Sequence, residues 1–70
     1  MEKRKHYWNG RWGRLARLDV VLYEDGGAWL VEYRRGGAEG RSVFHEFGDE
    51  DSALDAARDL LAGGDAWTQL

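Results

Sequence analysis

The sequence predicts an α+β domain: an antiparallel meander of three or four β-strands, followed by one C-terminal α-helix packed on one face of the sheet. Three observations support this prediction. Glycine-containing turn signals divide residues 1–47 into short segments, apolar and polar residues alternate within those segments, and the pattern changes to a helical period after Gly48. Seventy residues without cysteine form one small domain that depends on packing, chiefly of four Trp, three Tyr and two Phe.

The chain divides into four parts by composition. Residues 1–14 form a basic, aromatic arm or hairpin, 15–47 the meander, 49–62 the helix with its cap, and 63–70 a tail. No stretch of linker composition separates these parts, so we expect a single domain over residues 1–70.

The Asn9-Gly10 pair is a signal for a type I′ turn. It can join a strand over 4–8 to a strand over 11–17, which would place Tyr7 opposite Trp12. The second of these strands would then continue directly into the meander.

Asp25-Gly26 predicts a hairpin between strands over 15–24 and 27–35, because a type I′ turn needs positive φ at both central residues. A two-residue loop there pairs Leu22 with Trp29. The resulting register places six apolar or aromatic side chains on one face, and a slip by one residue would move them all to the other face. These residues are Leu18, Val20, Leu22, Trp29, Val31 and Tyr33.

The third strand of the meander is predicted over 41–47, after a glycine-rich loop over 36–40. A five-residue loop pairs Val31 with His45, whereas a four-residue loop would pair Val31 with Glu46. We favour the first register, because a histidine that can be neutral costs less to bury in the core than a carboxylate.

Residues 50–62 have the pattern of an amphipathic helix with Asp49 as its N-cap. Gly63-Gly64 is typical of a helix end, and Trp67 in the tail is expected to fold back onto the core. The apolar stripe that faces the sheet consists of Ala53, Leu54, Ala57, Leu60 and Leu61.

The sheet face away from the helix, called here the open face, is only half polar. Four apolar residues alternate on it with charged ones, and we expect something to cover them. Three alternatives stay open: Trp8 or Trp12 folds over this face, a partner protein or a second copy docks on it, or nucleic-acid bases stack on it. The four apolar residues are Val21, Tyr23, Leu30 and Phe44, and the charged ones are Arg17, Asp19, Glu32, Arg34 and Glu46.

The helix carries a row of carboxylates, Asp51, Asp55 and Asp59, at i, i+4 and i+8, called here the acidic strip. The strip is either a solvated face or a docking strip, and a docking strip would serve the chain's own basic arm or a basic patch on another protein. Together with the open face it predicts a small binding or adaptor module that engages another protein or a second copy. A cytoplasmic location is expected from the lack of a membrane-length apolar run and of a signal-peptide pattern. The residues predicted to bind protein are Val21, Tyr23, Leu30, Phe44, Asp51, Asp55 and Asp59.

The formal charge of −3 is divided unevenly along the chain. Residues 1–18 hold six of the ten Lys and Arg but one acid, whereas the remainder holds four Arg and twelve acids. Cations interleaved with aromatic rings suit phosphates and bases, so nucleic-acid binding is the alternative function. The residues predicted to carry it are Lys3, Arg4, Lys5, Tyr7, Trp8, Arg11, Trp12, Arg14 and Arg17.

Several functional classes have little support. His45 and Glu46 are neighbours on a strand and point to opposite faces, so they cannot act together in catalysis. Two His and no Cys make a transition-metal site unexpected, and no cofactor or small-molecule substrate is expected. No apolar run reaches the length of a membrane span, and no hydrophobic stretch follows the basic start as in a signal peptide.

The order of strands, glycine-rich turn and helix start resembles the WGR domain in outline. Tyr33-Arg34-Arg35-Gly36 and the segment from Phe47 to Ala53 occupy comparable places, while Trp12-Gly13-Arg14 lies too early in the chain to match. The integrase amino-terminal DNA-binding domains have a similar outline. Both resemblances imply contact with nucleic acid through the sheet or its loops, although the acidic helix departs from both families.

Overall fold

The structure, a computed structural model, describes residues 1–13, 16–37, 40–62 and 67–70. Arg14 and the predicted helix end at Gly63-Gly64 lie outside these residues. Within them the chain forms five β-strands and one α-helix. The elements are β1 (Glu2–Trp8), β2 (Leu18–Asp25), β3 (Ala28–Arg35), β4 (Arg41–Phe47), α1 (Glu50–Leu61) and β5 (Thr68–Gln69).

The strands form one antiparallel sheet in the order β4-β3-β2-β1-β5. The first four strands are a meander, and α1 packs across one face, so the predicted fold class is confirmed. The tail adds what the sequence did not predict: its two-residue strand β5 pairs with the end of β1, where Gln69 lies opposite Tyr7. Trp67, just before β5, packs against the core as expected.

The hairpin predicted at Asn9-Gly10 is wrong. β1 pairs with β2, so that Tyr7 lies opposite Val20 instead of Trp12. The buried Asn9 side chain closes a longer loop: its amide nitrogen donates to the Ala16 carbonyl at 2.8 Å, and its amide oxygen accepts from the Leu18 N–H at 3.0 Å. These bonds replace the tight turn, since they satisfy backbone groups at the far side of the loop.

The β2–β3 hairpin forms, but its turn lies one residue later than predicted. Gly26 and Gly27 are the central residues, with φ of 59° and 94°, and Leu22 lies opposite Val31 instead of Trp29. Glycine enters positive φ without the penalty that Asp25 would incur, which favours the Gly-Gly turn. Each β2 residue therefore pairs with a β3 residue two positions later than predicted. Because side chains alternate with a period of two, every side chain stays on the sheet face that was predicted for it.

The β3–β4 register is the one predicted from a five-residue loop, with Val31 opposite His45 and Arg35 opposite Arg41. The expectation that His45 enters the core is wrong, because its side chain is exposed. α1 lies mainly over β2 and β3, so the helix side of the outer strand β4 stays open at Val43 and His45.

The core lies between α1 and the sheet. Asp49 caps the helix, where its carboxylate accepts from the Ser52 N–H at 2.8 Å. The fully buried apolar side chains of this core are surrounded by partly buried ones, which are aromatic or leucine. The first group is Val20, Leu22, Val31, Ala53 and Ala57, and the second is Tyr7, Trp29, Tyr33, Phe47, Leu54, Leu60, Leu61 and Trp67.

Candidate binding surfaces of the sheet

The open face presents three rows of side chains that run across the sheet from β1 to β4. Each row follows from the pairing of the four strands, and each contains polar as well as apolar residues. The first row is Trp8, Asp19, Arg34 and Ser42; the second is His6, Val21, Glu32 and Phe44; the third is Lys3, Tyr23, Leu30 and Glu46.

Asp19 is a fully buried carboxylate on this face. Arg17 donates to both of its oxygens, at 3.0 and 3.2 Å, and the His6 Nε2 lies 2.7 Å from Oδ1. Burial alone would raise the pKa of Asp19, but the hydrogen bonds from Arg17 and His6 outweigh it and hold the pKa below its usual range. The ion pair fixes the Arg17 guanidinium at the edge of the open face.

Glu32 is the second buried carboxylate of the open face. It accepts two bonds from Arg34 at 3.0 and 3.1 Å, one from the Tyr23 hydroxyl at 2.6 Å and one from the Ser42 hydroxyl at 2.5 Å. Burial opposes ionisation, yet these four donors lower the pKa of Glu32 to about 2. Burial and the bond to Glu32 raise the pKa of Tyr23 to about 12.

These two clusters organise the surface and are poorly suited to proton transfer. A general base works best when its pKa lies near the working pH. The pKa values of Asp19 and Glu32 are both lowered, and the donors around each carboxylate are already engaged. Their chemical effect is to hold Arg17 and Arg34 in fixed positions.

The apolar patch predicted on the open face is smaller than expected. Val21 is fully buried and inaccessible to a partner, because this short side chain in a central strand lies between the longer His6 and Glu32. Tyr23 and Leu30 are half-buried, whereas 51% of Phe44 is exposed. The accessible patch is therefore Phe44, with the Tyr23 ring 6.3 Å away between centroids.

Trp8, Trp12 and Arg17 form a tryptophan–arginine cluster at one corner of the open face. The two indole rings meet edge to face with centroids 4.7 Å apart, and the Arg17 guanidinium lies 5.1 Å from the Trp8 ring and 5.6 Å from the Trp12 ring. Trp12 is 74% exposed. The tryptophans thus pack on one another and on Arg17 at this corner, and Phe44 stays uncovered.

The structure separates the residues predicted to bind nucleic acid. Trp8, Arg11, Trp12 and Arg17 lie together, and the Trp8 indole N–H donates to the Arg11 carbonyl at 3.0 Å. Arg14, from the same predicted set, falls outside the described residues.

The remaining members of that set lie elsewhere. Arg4, near the other end of β1, has Nη1 at 2.9 Å from a carboxylate oxygen of Glu2 and 3.7 Å from one of Glu24. Tyr7 packs against the core on the helix side. Lys3 is exposed beside Arg4, and Lys5 is half-buried. The first five residues and the tryptophans therefore do not form one surface.

Three arginines from the meander lie at the same end of the sheet as the tryptophan–arginine cluster, although none of them was among the residues predicted to bind nucleic acid. Arg34 and Arg35 end β3, and Arg41 begins β4 directly opposite Arg35. The predicted five-residue loop already paired Arg35 with Arg41, so the signal was present in the register. A comparison of charge between residues 1–18 and the rest of the chain separates Arg17 from these three arginines, so it does not indicate that they share one end of the sheet.

The acidic strip is exposed along α1, on the opposite side of the sheet from Phe44. Arg58 lies 3.5 Å from Asp55 in an exposed ion pair. Across the part of the chain that the structure describes, no group of three His, Asp or Glu side chains is arranged to hold a metal ion. No helix in these ranges is long and apolar enough to cross a membrane.

Comparison with protein families, with curated proteins and with solved structures finds no match to this chain. The similarity to the WGR and integrase domains therefore stays a resemblance in outline.

Proposed function

We propose that this protein is a non-catalytic binding module that recognises another protein by pairing β4 with an extended strand of that partner. The observation that carries the proposal is the exposure of β4. It is the outermost strand on its side of the sheet, and it leaves Val43 and Phe44 about half exposed on its two faces.

The backbone of β4 supports strand addition. Within the described residues β4 pairs only with β3, so its other side presents unpaired N–H and C=O groups over seven residues. Natural edge strands are commonly protected by proline, lysine or a bulge. β4 has neither proline nor lysine, and its ladder with β3 runs without a register shift.

The side chains of the open face indicate the chemistry of the partner. Phe44 offers an apolar contact, and Glu46, two residues further on the same face, makes no ion pair with any described residue. An antiparallel partner strand would place an apolar residue opposite Phe44 and a cation, two positions before that residue, opposite Glu46. The formal charge of −3 also favours a basic partner.

The acidic strip lies on the other side of the sheet and does not belong to this interface. Its carboxylates add to the negative field that attracts a basic partner over a distance of about one Debye length. On this proposal their removal changes the association rate more than the contacts of the bound state.

A designed peptide tests the proposal. We expect a capped heptapeptide of threonines, with phenylalanine at its centre and lysine two residues before it, to shift the amide signals of β4 and to slow their hydrogen exchange. The same peptide with glutamate in place of lysine should bind more weakly. Shifts confined to α1, or no shifts at millimolar peptide, would refute strand addition at β4.

Matched variants locate the contact. Phe44→Asp should abolish peptide binding, whereas Leu70→Asp changes a similarly exposed apolar residue near the opposite edge of the sheet and should leave binding intact. Light scattering over a concentration series shows whether the partner strand is a second copy. If the protein dimerises and Phe44→Asp prevents dimerisation, the partner strand belongs to a second copy.

A further inference from the structure

One end of the sheet concentrates arginines that are far apart in sequence. β3 ends there with Arg34 and Arg35, β4 begins there with Arg41, and Arg17 immediately precedes β2. β1 ends at the same place with Trp8, and the Trp12 ring packs against the Trp8 ring. We call this surface the basic end; it consists of Trp8, Trp12, Arg17, Arg34, Arg35 and Arg41.

Contacts make the basic end continuous. The Gly36 N–H donates to the Arg17 carbonyl at 2.9 Å, which fastens the start of β2 to the end of β3. Arg35 lies opposite Leu18, and the Arg17 side chain passes beside Gly37. On the open face the surface therefore runs from the tryptophans over Arg17 to Gly37 and Arg34. Arg35 and Arg41, one residue out of phase with Arg34 and Ser42, continue it around the same end of the sheet on the helix side.

The pairing of Arg35 with Arg41 is unfavourable in the isolated molecule. Like charges directly opposite each other on neighbouring strands destabilise a sheet. Both side chains are exposed, and no carboxylate in the described part of the chain lies within ion-pair distance of either guanidinium. An anion bound between them would remove this repulsion.

The other two arginines are held in place before any ligand arrives. Buried Asp19 fixes Arg17 through two bonds, and buried Glu32 fixes Arg34 in the same manner. A side chain that is already ordered loses less entropy on binding. Arg17 also contacts both indole rings, so it joins the charged and the aromatic parts of the surface.

We infer that the basic end binds single-stranded nucleic acid, with backbone phosphates on Arg35 and Arg41 and a base stacked on Trp12. The Trp12 ring is mostly exposed and can stack on a base. Stacking needs a base with a free face, and the bases of a duplex are already stacked on their neighbours. Guanidinium groups bind phosphate oxygens in pairs of hydrogen bonds. This site is separate from the edge of β4 proposed for protein binding.

The test is the affinity for fluorescein-labelled oligothymidylate, measured by anisotropy at about 50 and 200 mM salt. We expect binding that weakens with salt. The double variant Arg35→Gln/Arg41→Gln should reduce the slope of log K against log salt by about 1.4, that is about 0.7 for each lost contact on a single strand. Trp12→Ala should weaken binding by about 5- to 150-fold, the range expected for one stacked base.

Four controls make the test specific. Arg58→Gln, an exposed arginine on α1, and Lys3→Gln at the far end of β1 should both leave the affinity unchanged. An abasic oligonucleotide of equal length should bind as weakly to the wild type as the normal oligonucleotide does to Trp12→Ala. Phe44→Asp should retain full affinity, which separates this site from the protein-binding proposal.

Several results would overturn the inference. One is the absence of binding at the lower salt, and another is tighter binding of a duplex than of the single strand. A third is that the abasic oligonucleotide and anionic lipid vesicles bind as tightly as the normal oligonucleotide does. Loss of affinity in Lys3→Gln with none in the double variant would place the site on the first strand instead.

Discussion

At the scale of residues, the open face is ordered by two buried carboxylates. No helix or strand of the described residues covers the face on which Glu32 and Asp19 lie. Donor side chains surround both carboxylates: three for Glu32 and two for Asp19. Buried charges persist only when they are paired and hydrogen-bonded. The same bonds hold Arg34 and Arg17 rigidly in position, so the energetics of the fold and the geometry of the basic end depend on the same atoms.

Replacing Glu32 by Gln should lower the free energy of unfolding by about 3 kcal/mol at neutral pH. The amide keeps the shape of the side chain but loses the charge that balances Arg34, and its NH₂ group faces donors instead of acceptors. Urea denaturation followed by tryptophan fluorescence measures the change. The matched control is Glu46→Gln, an exposed carboxylate on the same face, which should shift stability by no more than about 0.5 kcal/mol. Equal effects in both variants would contradict this account of Glu32.

At the scale of elements, the β3–β4 connection depends on close backbone packing at Gly40. A Cβ atom at this position would overlap the carbonyl oxygen of Arg35 and crowd Gly36. We expect Gly40→Ala to destabilise the protein by about 2 kcal/mol or more, because the loop must open to accept the methyl group. Thermal unfolding checks this. Gly48→Ala is the control: its added Cβ meets no atom within 4 Å, and its stability should stay near that of the wild type. A neutral Gly40→Ala would show that the loop adapts freely.

The elements also show how far the sequence predicts this fold. The alternating pattern fixes the face of each side chain, and the loop length fixes the β3–β4 register, so both were predicted correctly. The predicted β2–β3 register was wrong because Asp25-Gly26 and Gly26-Gly27 are both good turn pairs. The two registers differ by two residues and place each side chain on the same face of the sheet, so the side-chain pattern does not distinguish them. Asn9 was read as a turn residue, whereas its amide bonds backbone groups seven and nine residues away. Such long-range bonds leave no local signal.

At the scale of the whole molecule, the fold redistributes the charges and aromatic rings that the sequence groups by segment. The basic start of the chain is split along β1, with Arg4 among acids at one end and the tryptophans at the other. The candidate surfaces were therefore only partly predictable. Phe44 and the tryptophans were identified from the sequence. The burial of Val21 and Tyr7 and the convergence of the arginines depend on the order of the four meander strands.

Stability against acid is a property of the whole molecule that follows from the buried carboxylates. The folded pKa of Glu32 lies at about 2, below its ordinary value of 4.5, so the unfolded chain binds a proton at a higher pH than the folded chain does. The stabilisation is therefore complete above about pH 5 and is lost as the pH falls towards 2. At about 1.4 kcal/mol for each pH unit between the two pKa values, Glu32 accounts for about 3 kcal/mol, and Asp19 acts in the same direction.

Urea denaturation of the wild type and Glu32→Gln at pH 5, 4, 3 and 2 isolates this contribution, because every other carboxylate titrates in both proteins. The free energy of unfolding should fall more steeply with acid in the wild type. The difference in this free energy between the two proteins should shrink by about 3 kcal/mol between pH 5 and pH 2. Parallel curves would mean that the pKa of Glu32 is not depressed in the folded state. The bonds from Arg34, Tyr23 and Ser42 would then contribute no net stabilisation of its charge, and the ordered position of Arg34 at the basic end would need another cause.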